Sequence, residues 1–183
     1  VGFPPSVVVQ DRLPIATVDE SQGSLDEGQA LVSYLVADQR IVAFVITRDS
    51  VRAHELTRSR AELEKDVASL LTLLHRTSSD HWRDVAQRLH RALLAPLGED
   101  VTRARALLVS PDEFLANVPF ALLTASDGRL VLQQTRVGYA PSMTFYRRTL
   151  ARPLSDAPPR MLMVGNPELP QGLPDLPEAG REE

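Results

Sequence analysis

The 183-residue sequence contains no cysteine, which removes disulfides, thiolate metal sites and a cysteine nucleophile from these residues. Lysine is nearly absent too: Lys65 is alone among 20 basic residues, and arginine supplies the rest. With 24 acidic residues the net charge is −4, so nothing in the charge balance favours nucleic acid or an anionic membrane. No apolar run approaches the roughly 20 residues of a membrane-spanning helix. The start, Val1-Gly2-Phe3-Pro4-Pro5, has neither a basic n-region nor a small-residue cleavage site, so it does not read as a signal peptide. Aromatic residues are few, at 5%. What remains is ordinary for a folded domain: 43% hydrophobic and 24% charged residues, in a chain long enough for one sizeable core.

Residues 1–29 are rich in Pro, Asp and Ser around two short apolar pieces, and read as a linker or N-terminal arm. From residue 30 the pattern changes. Leu31–Val36, Ile41–Thr47 and Val51–Leu56 are β-type runs separated by the polar turns Asp38-Gln39 and Arg48-Asp49-Ser50. Three such runs predict an antiparallel meander, its middle strand apolar enough to be buried on both faces. Ser59 with Glu62 forms a capping-box signature, after which Leu63, Val67, Leu70, Leu71 and Leu74 make one helical stripe. Ser78-Ser79-Asp80 offers the next N-cap, and Trp82, Val85, Ala86, Leu89 and Leu93 repeat the stripe until Pro96. The short connection predicts an antiparallel helical hairpin, packed at the edge of the meander.

In the second half, Arg105–Ser110 reads as a buried strand stopped by Pro111-Asp112, and Asp127-Gly128 as a hairpin-type turn. Arg136–Tyr139 is a short strand, and Ser142 caps a helix running to about Leu150. Residues 153–159 form a linker, Arg160–Val164 a further strand, and Pro167–Pro177 a proline-rich loop. Strands alternating with helices predict an α/β fold with a parallel or mixed sheet.

No catalytic, cofactor-binding or metal-binding residue emerges. His54, His75, His81 and His90 show no metalloprotease spacing and have no acidic motif placed to orient them, so each reads as a packed or solvated side chain. Ser110 and Ser142 sit at element boundaries, but neither lies in a Gly-x-Ser-x-Gly elbow, and capping is a sufficient job for Ser142. Gly165-Asn166-Pro167 lacks the further glycines of a dinucleotide fingerprint and the lysine of a P-loop, so it reads as a plain turn. Glu178, Glu182 and Glu183 suit the first turn of a helix, and Arg147-Arg148 a solvated helix face.

Ordered pieces carry a resemblance. Ala43–Asp49, then Pro111-Asp112-Glu113-Phe114-Leu115, Pro119-Phe120-Ala121-Leu122-Leu123, Tyr139-Ala140-Pro141-Ser142, Gly165-Asn166-Pro167 and the acidic end Leu176–Glu183 follow one another as in a CHAT domain, a caspase-like module often found beside TPR repeats. Residues 30–183 thus resemble the N-terminal part of that domain, truncated at its C-terminus. One departure is Glu113-Phe114-Leu115-Ala116-Asn117, where family members often carry a Gly-x-Leu-His-type stretch. The resemblance implies a caspase-like three-layer αβα fold, here partial, and a bacterial cytoplasmic parent that cleaves a protein or peptide with a cysteine and a histidine. In the family both catalytic residues come after the part matched here, so this chain is expected to be inactive alone and to need no cofactor. Its partners would be the parent's substrate and TPR repeats of the same polypeptide. The alternative reading is a non-catalytic protein-interaction or regulatory α/β domain.

Overall fold

A computed structural model of the chain describes residues 15–75 and 80–151. The linker, strand, turn and acidic segment expected beyond residue 151 lie outside the described residues, as do Ser78 and Ser79.

The meander forms as its turns dictate. β1 (Gln29–Val36), β2 (Ile41–Ile46) and β3 (Val51–Glu55) pair antiparallel in sequence order. Tight turns close both hairpins, the Ala37 N–H donating to the Arg40 carbonyl and the Thr47 N–H to the Ser50 carbonyl, each at 2.9 Å. The sheet then changes direction. β4 (Ala106–Ser110) pairs parallel with β1 on its other side, and β5 (Arg136–Tyr139) pairs parallel with β4. The strand order is β3-β2-β1-β4-β5, a mixed sheet with β1 at its centre. Gly28 helps to set the parallel register: at φ +78 it turns the chain into β1, and its carbonyl accepts the Arg105 N–H at 2.8 Å.

Pleating sorts the side chains. Ala30, Val32, Tyr34 and Val36 of β1 share a face with Ile41, Ala43 and Val45 of β2 and with Leu107 and Val109 of β4, all buried. Two helices cover this face. α2 (Arg60–Leu74) starts at the expected capping box, in which the Ser59 N–H donates to Glu62 Oε2 at 3.0 Å and the Glu62 N–H to Ser59 Oγ at 3.4 Å. α3 (Trp82–Leu93) packs beside it, and Leu63, Val67, Leu70, Val85, Leu89 and Leu93 join the strand residues in one core. The hairpin therefore lies over the face of the sheet rather than at its edge. Its leucine stripes need a broad apolar surface, and only a sheet face offers one.

Three further expectations change. β2 is fully buried on one face only, because Val42, Phe44 and Ile46 on the other are half-covered. α3 takes no side-chain cap: His81 holds the N-cap position without one. The turn at Asp127-Gly128 forms, with Gly128 at φ +81, but it joins one bridge between Thr124 and Leu130, and 3₁₀ turns flank it at Phe120–Leu122 and Val131–Gln133.

The second sheet face is framed by two other helices. α1 (Val18–Gln22) is capped by Thr17 and Glu20, and the Gln22 amide donates to the carbonyls of Thr47 and Arg48. α5 (Met143–Ala151) meets it through an ion pair between Arg147 and Glu20 at 3.0 Å and through the Ala16 N–H, which donates to Thr144 Oγ1 at 2.9 Å. A short α4 (Glu99–Thr102) connects the end of α3 to β4. The chain is thus a mixed α/β domain with helices on both sides of its sheet.

Candidate functional site

β1, β4 and β5 run in the same direction, so the residues following them meet at one end of the sheet. Crevices at the carboxyl ends of parallel strands are the usual ligand sites of such sheets. Here a groove of about 420 Å³ opens at that end on the α1/α5 side. Ser33 and Leu35 of β1 line it with Pro111, Asp112, Ser142 and Met143.

Its walls are held by backbone contacts. Asp112 Oδ2 accepts the Val36 N–H at 2.9 Å, tying the turn after β4 to the end of β1. The Ser110 hydroxyl donates to the Pro141 carbonyl at 3.3 Å, and the Ala140 N–H to the Val109 carbonyl at 3.0 Å, joining β4 to the loop after β5. Ser142 Oγ accepts the Phe145 N–H at 3.2 Å, the N-cap expected from sequence. Beside Asp112, Glu113 takes a left-handed φ of 45°, and its carboxylate pairs with Arg60 of α2. A non-glycine residue there is strained, and the ion pair helps to hold it.

An aromatic trio lies behind the groove. Phe120, fully buried, stacks on Tyr34 with ring centres 5.6 Å apart and tilts against Tyr139 at 6.3 Å. The Tyr34 hydroxyl donates to the Leu93 carbonyl at 2.9 Å, and the Phe120 N–H donates to the Tyr139 hydroxyl at 2.9 Å. Burial pushes both phenols above their ordinary pKa, so each stays protonated at neutral pH.

None of the four histidines reaches this groove. His54 is in β3, His75 ends α2, His81 precedes α3, and His90 lies in α3 beside a different cavity. Both serines are occupied with backbone. Arg147 is paired with Glu20, so it is not simply a solvated face. Among the described residues no group of three histidines or carboxylates could hold a metal. The groove can therefore receive an extended ligand and present backbone and hydroxyl groups to it, and the described residues that line it include no nucleophile–base pair.

The family model of the CHAT domain matches residues 83–182, more than half of the chain. The chain belongs to the CHAT-domain family. Within this CHAT domain the matched stretch takes in α3, α4, β4, β5 and α5, including both loops that wall the groove, while the meander and α2 precede it. No curated protein matches the chain.

Sequence reasoning missed two features. Asp66 is buried in α2, where its oxygens meet Arg58 at 3.2 Å and Arg88 of α3 at 3.1 Å. The signal was its place on the stripe between Leu63 and Leu70. His90 is the other. Burial pulls its imidazole below the ordinary histidine pKa, partly opposed by the Asp127 carboxylate. The unfolded chain then takes up a proton near pH ~6.5 that the folded chain resists. Stability is expected to fall as pH drops below that value and to level off once the folded pKa is passed. Denaturant midpoints between about pH 7.5 and 5.5 check this. His90→Gln should flatten the slope, and an unchanged slope would remove His90 as its source.

Proposed function

We propose that this CHAT domain is the N-terminal portion of a caspase-like cysteine peptidase, and that it shapes the substrate groove without performing the chemistry. In this reading the thiolate and its histidine come from residues outside these 183, which contain no cysteine. The thiolate attacks the peptide carbonyl, backbone N–H groups stabilise the oxyanion, and the histidine passes the proton to the leaving amine. The observation carrying the proposal is the groove at the carboxyl ends of β1, β4 and β5, walled by the Asp112 and Pro141-Ser142 loops of the CHAT match. A peptide laid there would face the strand ends, where caspase-like enzymes keep their catalytic pair. The parent would be a cytoplasmic polypeptide whose TPR repeats recruit the protein to be cut.

The test compares the 183-residue chain with its full parent polypeptide on a library of fluorogenic peptides. The parent should cleave and lose that activity on thiol alkylation, while the chain alone should not cleave. Cleavage by the chain alone refutes the division of labour. A parent without thiol-dependent cleavage refutes the peptidase, leaving a protein-interaction domain.

A further inference from the structure

Three arginines surround a recess of about 320 Å³ between α3 and the turn that leads into α2. Thr57 and Arg58 come from that turn, and Arg88, Arg91 and Ala92 from α3. Among the described residues no carboxylate lines it, and none of its lining residues lines the groove. In a chain of net charge −4, this is a local reversal of sign.

The three side chains can be reached from solvent. Arg91 is exposed, and the Arg58 and Arg88 side chains keep 31% and 42% of their surface accessible. One carboxylate fixes two of them. Asp66, buried in α2, accepts from Arg58 Nη1 on Oδ2 at 3.2 Å and from Arg88 Nη2 on Oδ1 at 3.1 Å. Glu62 adds an ion pair at 3.3 Å from Arg58 Nε. A guanidinium carries five N–H donors, so most of those on Arg58 and Arg88 are left over. Arg91 makes no ion pair among the described residues. Its place in the last turn of α3 suits the helix dipole, but that interaction uses none of its donors. Two carboxylates against three guanidiniums leave one positive charge unanswered.

That surplus selects the ligand. A cation would be repelled, and a neutral molecule would leave the charge unmatched. A carboxylate has two oxygens, and one forked guanidinium satisfies it. A phosphoryl group offers three acceptor oxygens and close to two negative charges, which suits guanidiniums converging from two elements. The Thr57 hydroxyl can donate one bond more. Because Asp66 already holds Arg58 and Arg88, little side-chain freedom is lost when the anion binds.

We infer that this recess is a binding site for a phosphate monoester, with Arg58, Arg88 and Arg91 as donors and Asp66 as the positioning residue for the first two. The phosphoryl group is carried either by a small molecule or by a modified protein side chain, and the experiment separates the two.

Phenyl phosphate, a phosphoserine peptide, the same peptide unphosphorylated, and acetate are titrated into the 183-residue chain at constant ionic strength. The readout is the arginine side-chain Nε–H signals in NMR spectra. Those of Arg58, Arg88 and Arg91 should shift saturably with both phosphate esters, and acetate should bind about tenfold more weakly. Arg91→Gln changes an exposed side chain, and it should weaken phenyl phosphate about five- to tenfold. Tighter binding of phenyl phosphate than of the phosphopeptide supports a small-molecule site, and the reverse order supports a phosphorylated protein ligand. Shifts without saturation, or equal binding of acetate, would overturn the proposal in favour of a merely basic surface. An unphosphorylated peptide that binds as well as its phosphorylated form would overturn phosphoryl recognition. Unchanged affinity in Arg91→Gln would remove the third arginine and the site built on it. The ratio of phenyl phosphate to acetate affinity in the unmodified chain decides the matter even if the variant fails to fold.

Discussion

Phe120→Ala is expected to destabilise the domain by about 3–5 kcal/mol, the loss typical of a fully buried aromatic ring. The magnitude follows from position as much as from size. The ring is shielded from solvent and contacts Tyr34 of the central strand and Tyr139 of β5, so its removal opens a void where three chain segments meet. Aromatic pairs add about 0.5–1.5 kcal/mol beyond buried area, and two would be lost together. Phe120→Leu, which fills most of the space, should cost much less. Urea melts of both variants check the ordering. Equal losses would show that the local backbone, not the ring, is the sensitive element.

The second large effect is expected at Asp66. Asp66→Asn leaves the shape intact but deprives Arg58 and Arg88 of the charge between them. Breaking a fully buried pair costs about 3–5 kcal/mol; here about 2–3 kcal/mol is expected, because both guanidiniums reach solvent and are partly screened. Arg88→Gln should cost less, because the carboxylate keeps Arg58. The double variant should fall short of the sum, since the two changes share one interaction. Chemical denaturation of the four proteins measures the coupling, and strict additivity would show that α2 and α3 are joined by packing alone.

Both positions show where the sequence could be read and where it could not. Ser59 with Glu62, the leucine stripes and the polar turns act over three or four residues, so their consequences were visible in the chain. The motif from Pro111 to Leu123 was visible as a pattern, and it named the family. The jobs of its members were hidden, since Asp112 secures an N–H 76 residues earlier and Phe120 fills a space bounded by distant strands. The groove was illegible for the same reason: its walls come from loops that only the parallel register brings together. The face taken by the helical hairpin was misjudged because periodicity fixes which side of a helix is apolar, not which surface receives it.

The two ends of the strand order differ in what they would accept from another chain. β3 is short and carries Arg52, His54 and Glu55, with Arg52 drawn towards Asp100 of α4 at 3.5 Å. Charged residues on a short edge discourage an incoming strand. β5, last in the order among the described residues, is also short and carries one charged residue, Arg136, ahead of Val137, Gly138 and Tyr139. Self-association through the meander side would have to bring three charged or titratable side chains together, whereas the β5 strand presents one, Arg136. Among the described residues the sheet is therefore more heavily charged at the β3 margin than at the β5 margin, so an added strand would meet less charge beside β5.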